Sequence, residues 1–158
     1  MEIYLLRHGV ADSQSRSGRD ADRHLTLPGI ANLRRVVKAA QIAGLQPSLI
    51  ISSPYVRAVE SAQVAARLLK YDGPIVQSNH LTPDSAPPAV WTVLREHHDE
   101  RSILVVAHEP LLSATASWML GSSRVVIEFS PGMMVRIDVA DLGPEPRGLL
   151  RRIYVWER

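Results

Sequence analysis

The sequence predicts an α/β fold, a three-layer α/β/α sandwich whose central sheet is mostly parallel and ends in an antiparallel C-terminal hairpin. Three observations carry this expectation. Short runs of branched apolar residues, the pattern of strands buried on both faces, alternate with longer stretches of helical periodicity. Those stretches carry Pro near their start and Gly at their end, the usual punctuation of helix termini. The last two apolar runs are separated by Asp141-Leu142-Gly143-Pro144-Glu145-Pro146-Arg147-Gly148, which suits a hairpin at one side of the sheet. No repeat or linker interrupts the 158 residues, so one domain over 1–158 is expected.

The first strand is Glu2-Ile3-Tyr4-Leu5-Leu6, closed by Arg7-His8-Gly9, where Gly lets the backbone turn sharply toward a ligand. Val10 to His24 is polar, holds Arg16, Arg19 and Arg23, and has the length and composition of a mobile loop over a site. Thr26 caps a helix beginning near Pro28, with Ile30, Leu33, Val37 and Ala40 on one face and a stop at Gly44. Leu49 to Ser52 is a short buried strand. Ser53-Pro54 reads as a cap followed by a first helical Pro, opening a helix to Leu69 with Val59, Ala62, Ala66 and Leu69 inward and Arg57 in its first turn. Ile75-Val76 is a short strand, Pro83 to Pro88 a loop, and Val90, Val93 and Leu94 belong to a third helix. Ser102 to Ala107, the clearest buried strand, runs straight into His108-Glu109-Pro110, and a helix follows from Pro110 to Leu120, ending at Gly121. Val125 to Phe129, Met133 to Val139 and Leu149 to Trp156 read as strands, the last two forming the hairpin.

Composition narrows the function. A net charge of only +2, with Arg residues scattered along the chain, gives no basic block for nucleic acid. The absence of cysteine removes disulfides, thiolate nucleophiles and cysteine-ligated zinc, and fits a reducing compartment. Met1 runs directly into the first strand and no apolar stretch reaches membrane-spanning length, so the expectation is a cytoplasmic protein with no membrane partner. Six His without a recognisable ligand spacing give little support for zinc, and neither a metal nor another cofactor is expected.

Arg7 and His8 follow one predicted strand, Arg57 follows another by way of Ser52-Ser53-Pro54, and His108 follows a third. Open α/β sheets bind ligands at the carboxyl ends of their strands. Helix starts beside two of these groups add unpaired N–H donors and a dipole that favours an anion. Arg forks match phosphate oxygens, and a neutral imidazole is a nucleophile near pH 7. Two Arg and two His converging there would make a phosphoryl pocket.

These residues resemble the histidine phosphatase superfamily, the phosphoglycerate mutase-like group, and within it the small phosphohistidine phosphatases of the SixA type. The matching segments are Leu5-Leu6-Arg7-His8-Gly9, Arg23-His24-Leu25-Thr26 with Gly29, Ser52-Ser53-Pro54 with Arg57-Ala58, Leu81-Thr82-Pro83, and Val105-Val106-Ala107-His108 with Pro110. The short chain, without an inserted cap domain, favours the small branch. The resemblance implies that His8 attacks phosphorus and is phosphorylated, that water then releases phosphate, and that Arg7, Arg57 and His108 hold the phosphoryl oxygens. For the attack, the reacting ring nitrogen must be unprotonated, so the other is expected to donate to a backbone carbonyl. Arg23 and Ser53 are expected at the substrate.

The general acid departs from the family pattern. Many relatives place a Glu before the Leu-Thr-Pro stretch, where this chain has His80. His80 and Glu109 are the candidate acids, with Asp84 a weaker third; Glu109 is equally readable as a helix N-terminal carboxylate paired with the dipole. Weak acid catalysis matters less for a P–N bond, whose nitrogen can already carry a proton. The expected substrate is therefore phosphohistidine in a protein, for example a histidine phosphotransfer domain. A small phosphorylated metabolite, hydrolysed by a phosphomonoesterase, is the nearest alternative, and a phosphoprotein-binding regulatory domain with weak turnover is the next.

Overall fold

Alternation of side chains along β1 (Glu2–Arg7) sets the layers of the molecule. Ile3 and Leu5 enter an apolar cluster shared with α3 (Pro87–Glu96) and α4 (Leu111–Met119) on one face of the sheet. Tyr4 and Leu6 enter a second cluster with α1 (Leu27–Ile42) and α2 (Val56–Leu69) on the other. The computed structural model, which describes residues 1–156, is thus the α/β/α sandwich expected.

The remaining strands are β2 (Leu49–Ser52), β3 (Ile75–Gln77), β4 (Ser102–Ala107), β5 (Met134–Val139) and β6 (Gly148–Tyr154). They stand in the order β3-β2-β4-β1-β5-β6. The first four in that order are mutually parallel, and β5 and β6 add antiparallel as the predicted hairpin. Neighbouring strands β1 and β4 lead to helices on opposite faces, α1 and α4, so their connections diverge and open a crevice at the carboxyl edge.

The turn after β1 is clamped against the start of α1. Thr26 caps that helix by accepting from Gly29 N at 3.0 Å, and its own N–H donates to Val10 O at 2.9 Å. The approach is so close that a Cβ on Gly29 would lie 2.3 Å from Val10 O. The segment from Val10 to His24 lies over the crevice and is anchored by an isolated Ala11–Leu25 bridge and a 3-10 turn at Asp20–Asp22. Glu60 of α2 holds its far end, accepting from His24 Nδ1 at 2.6 Å and Leu25 N at 2.8 Å. Among the described residues no helix is long and apolar enough to cross a membrane.

Three expectations need correction. Val125 to Phe129 is not a strand, because the free edge of β1 is taken by β5. The apolar run nevertheless has a physical basis: Ile127 and Phe129 are buried while Val125 and Val126 are exposed, and the hydroxyls of Ser117 and Ser113 donate to Val125 O and Ile127 O, so the segment is pinned to α4. The second correction concerns α2, which starts at Val56 and not at Ser53-Pro54, with Tyr55 as its N-cap residue. Its inward face is consequently Arg57, Ala58, Ser61, Ala62, Ala65 and Ala66, and Val59 and Leu69 lie at its margins. The last strand ends at Tyr154, leaving Trp156 under the guanidinium of Arg35 at 4.3 Å.

Gly29→Ala should destabilise the protein by roughly 1–3 kcal/mol, the usual cost of forcing an extra carbon into packed structure. The check is chemical denaturation, with loss of the midpoint and an unchanged slope expected.

Candidate active site

Register brings the site together. β1 and β4 pair in parallel with Arg7 opposite Ala107, so His8 and His108, the next residues on each strand, emerge side by side with ring centroids 5.0 Å apart. Ser52 of β2 pairs with Val106, and Ser53 N donates to Val106 O at 2.9 Å, so the chain leaving β2 reaches the same line. One turn on, Arg57 projects inward from the first turn of α2 and is only 3% exposed. Arg7, His8, Asp20, Arg23, Arg57, His108, Glu109 and four loop residues line a cleft of about 400 Å³.

The tautomer of His8 follows from its partners. Nδ1 lies 2.7 Å from Gly9 O, and a carbonyl can only accept, so Nδ1 carries the proton. Nε2 in turn accepts from Arg57 Nε at 3.2 Å, so its single lone pair points at that guanidinium. Burial pushes the His8 pKa down to about 4, aided by the nearby charges of Arg57, Arg7 and Arg23 and opposed by the bond to Gly9. Burial, then the neighbouring His8 and Arg57, pushes His108 down to about 2. Both rings are therefore neutral at physiological pH. His108 Nε2 lies 2.8 Å from Ser53 Oγ, and its Nδ1 has no partner among the described residues. Ser53 Oγ already accepts from Tyr55 N at 3.3 Å, so its own proton is free for His108 Nε2, which places the His108 proton on Nδ1.

The three guanidiniums are held by different means. Arg7 Nη1 donates to Phe129 O at 2.5 Å, and its Nε has no partner among the described residues. Arg57 donates from Nη1 to Asp20 O at 2.7 Å and from Nη2 to Asp20 Oδ2 at 3.0 Å. Arg23 donates from Nε to Asp20 Oδ1 at 2.8 Å and from Nη1 to Asp12 O at 2.9 Å. Partial burial works to raise the Asp20 pKa, but the bonds and charge of Arg57 and Arg23 hold it below the ordinary carboxylate range.

Of the residues expected at the site, Arg7, His8, Arg23, Arg57, His108 and Glu109 do meet in the cleft. Ser53 is a correction: it is fully buried and spent on His108 and Tyr55, so it supports His108 from behind and does not face a substrate. His80 is also corrected, because it sits exposed on a 3-10 turn (Asn79–Leu81) and is not among the cleft-lining residues, although Pro83 is. Glu109 accepts from Ser113 N at 3.0 Å and touches the Ser113 hydroxyl with its other oxygen, the arrangement of a helix N-terminal carboxylate. Two contributors were missed. Asp20 offered only a carboxylate three residues before Arg23, a spacing common in polar loops, and Tyr55, edge-on to His108 at 5.0 Å, had no signal in the sequence.

The arrangement can bind a compact dianion among guanidiniums and, with Arg57 turned from His8 to the anion, offer it the lone pair of a neutral imidazole. Because the folded pKa of His8 is depressed, the unfolded chain binds its proton first as pH falls. The stability associated with neutral burial is thus complete above pH 6.5 and is lost between about 6.5 and 4. His8 ring resonances followed by NMR should stay flat from pH 8 to about 5 and move only near 4.

Comparison with known proteins places this geometry. The family model of the histidine phosphatase superfamily (branch 1) matches residues 3–82, which hold Arg7, His8 and Arg57. An uncharacterized protein of Picosynechococcus sp. is 30% identical over 118 residues, covering 73% of this chain and 71% of that one. Among solved structures, the protein histidine phosphatase SixA complexed with tungstate superposes with a TM-score of 0.87 at 18% identity, covering 98% of this chain and 97% of that one. A mycobacterial glucosyl-3-phosphoglycerate phosphatase gives 0.70 at 16% identity, with 98% and 97% covered. The chain belongs to the histidine phosphatase superfamily, branch 1, as a phosphatase with the fold of SixA.

Proposed function

We propose that this protein removes the phosphoryl group from phosphohistidine in a partner protein, such as a histidine phosphotransfer domain, through a covalent phosphohistidine on His8. The observation that carries the reading is the state of His8, whose Nδ1 proton is committed to Gly9 O while Nε2 faces the arginines of the cleft. His8 Nε2 forms a bond to phosphorus as the bond to the departing nitrogen breaks, and that nitrogen keeps the electron pair. Arg7, Arg57 and the Nδ1–H of His108 counter charge on the equatorial oxygens. Water then attacks phosphorus, the electron pair returns to Nε2, and phosphate leaves with the water's oxygen.

The acid side of the cleft favours a nitrogen leaving group. Glu109 is engaged by Ser113 and His80 lies outside the cleft lining, so neither candidate acid is placed to protonate an alkoxide. The likeness to the protein histidine phosphatase SixA supports the same choice. A small-molecule phosphomonoesterase is the second reading, favoured by the likeness to glucosyl-3-phosphoglycerate phosphatase. Catalysis needs no metal in this scheme, because each charge on the phosphoryl group meets a guanidinium.

Phosphate release from a phosphohistidine-bearing phosphotransfer domain should exceed that from a panel of phosphorylated metabolites and survive chelator. His8→Ala should abolish it, and Arg57→Ala should lower kcat by roughly 10²–10³-fold, the usual cost of removing one charge-stabilising donor. Faster turnover of the metabolites would select the second reading. Glu109→Gln should cost far less than the roughly 10²–10⁴-fold expected for a general acid.

A further inference from the structure

The scheme above leaves one cleft carboxylate without a task. Asp20 receives Arg57 through both its carbonyl and its carboxylate, and Arg23 through its other carboxylate oxygen. Arg57 also reaches His8 Nε2, so a single guanidinium separates the attacking nitrogen from the Asp20 carboxylate. The Asp20 side chain is 57% exposed, hence it stands at the mouth of the cleft and not in its floor. The charged groups lining this cleft are Arg7, Arg23 and Arg57 against Asp20 and Glu109. Arg23 is already bound to Asp20 and to Asp12 O, so a second anionic group on a substrate meets no uncommitted cation at the rim.

We propose that Asp20 is a specificity-determining residue, a fixed negative charge that favours an N-phosphorylated imidazole, which presents an N–H on its far ring nitrogen, over phosphate esters of anionic metabolites. The proposal rests on the phosphatase reading above. In the protonated form of phosphohistidine, one ring nitrogen bears phosphorus and the other a proton. When His8 Nε2 bonds to phosphorus, the P–N pair stays on the departing ring, which leaves as neutral imidazole with its far proton in place. No enzyme acid is consumed. An unprotonated ring would have to leave as imidazolide, so a carboxylate that accepts from the far N–H favours the reactive form. An ester carrying its own carboxylate brings like charge against Asp20 instead.

The test compares kcat/KM of the wild type, Asp20→Asn and Asp20→Glu on three probes: phosphohistidine, p-nitrophenyl phosphate and 3-phosphoglycerate. Because Asp20 also occupies the Arg57 fork, its loss can change all three together, so the ratios decide. Asp20→Asn should lower the phosphohistidine to 3-phosphoglycerate ratio by about tenfold, a size set by one exposed, charge-assisted hydrogen bond. Asp20→Glu should keep most of the ratio, and thermal unfolding should find both variants folded. A wild type that prefers phosphohistidine, with a ratio unchanged in Asp20→Asn, overturns this proposal alone. A wild type that hydrolyses the esters but not phosphohistidine overturns the underlying reading and this proposal with it.

Discussion

The parallel register of β1 against β4 is the constraint on which the rest of the site depends. Arg7 opposite Ala107 puts His8 beside His108, and the pairing of β2 with β4 brings Ser53 under the second ring. Side chains alternate across a strand, so a slip of one residue would send Ile3 and Leu5 to the face of Tyr4 and Leu6 and turn His8 away from its partner. Burial of all four apolar residues, two on each face, therefore holds the geometry of the cleft indirectly. The hydrophobic layers and the chemistry are fixed by one register.

Electrostatics in the cleft follow from where charge is and is not tolerated. Two imidazoles lie among three guanidiniums, and burial with that positive surround keeps both rings neutral. Neutrality is what a nucleophile requires, so a positive surround that suits an anion is compatible with the role proposed for His8. Burying Arg57 would be costly without partners, and Asp20 and His8 between them engage three of its nitrogens. The 10–24 segment thus belongs to the site through Asp20 and Arg23.

Strand ends, caps and the hairpin were legible in the sequence because each depends on local pattern. Thr26 caps α1 as its position before Pro28 implied, Gly121 lies just past α4 with a positive φ, and Asp141 to Gly148 joins β5 to β6. Val125 to Phe129 misled because an apolar run reports burial and not pairing, and packing against α4 buries Ile127 and Phe129 without a neighbouring strand. Ser53 misled for a similar reason: Ser before Pro is a frequent helix cap, but the turn through Tyr55 delays α2 and leaves the hydroxyl for His108.

The sequence by itself determined the α/β class and the four groups Arg7, His8, Arg57 and His108, since all four sit at strand ends or a helix start that apolar runs, Pro and Gly mark out. Only the tertiary structure decided the tautomer of His8, the place of Ser53 behind His108, the commitment of Glu109 to Ser113 and the entry of Asp20 into the cleft. The physical reason is range. Backbone preference and periodicity act over a few residues and are written locally, whereas Asp20 meets Arg57 across 37 positions and Ser53 meets His108 across 55. Such contacts exist only once strands β1, β2 and β4 have paired.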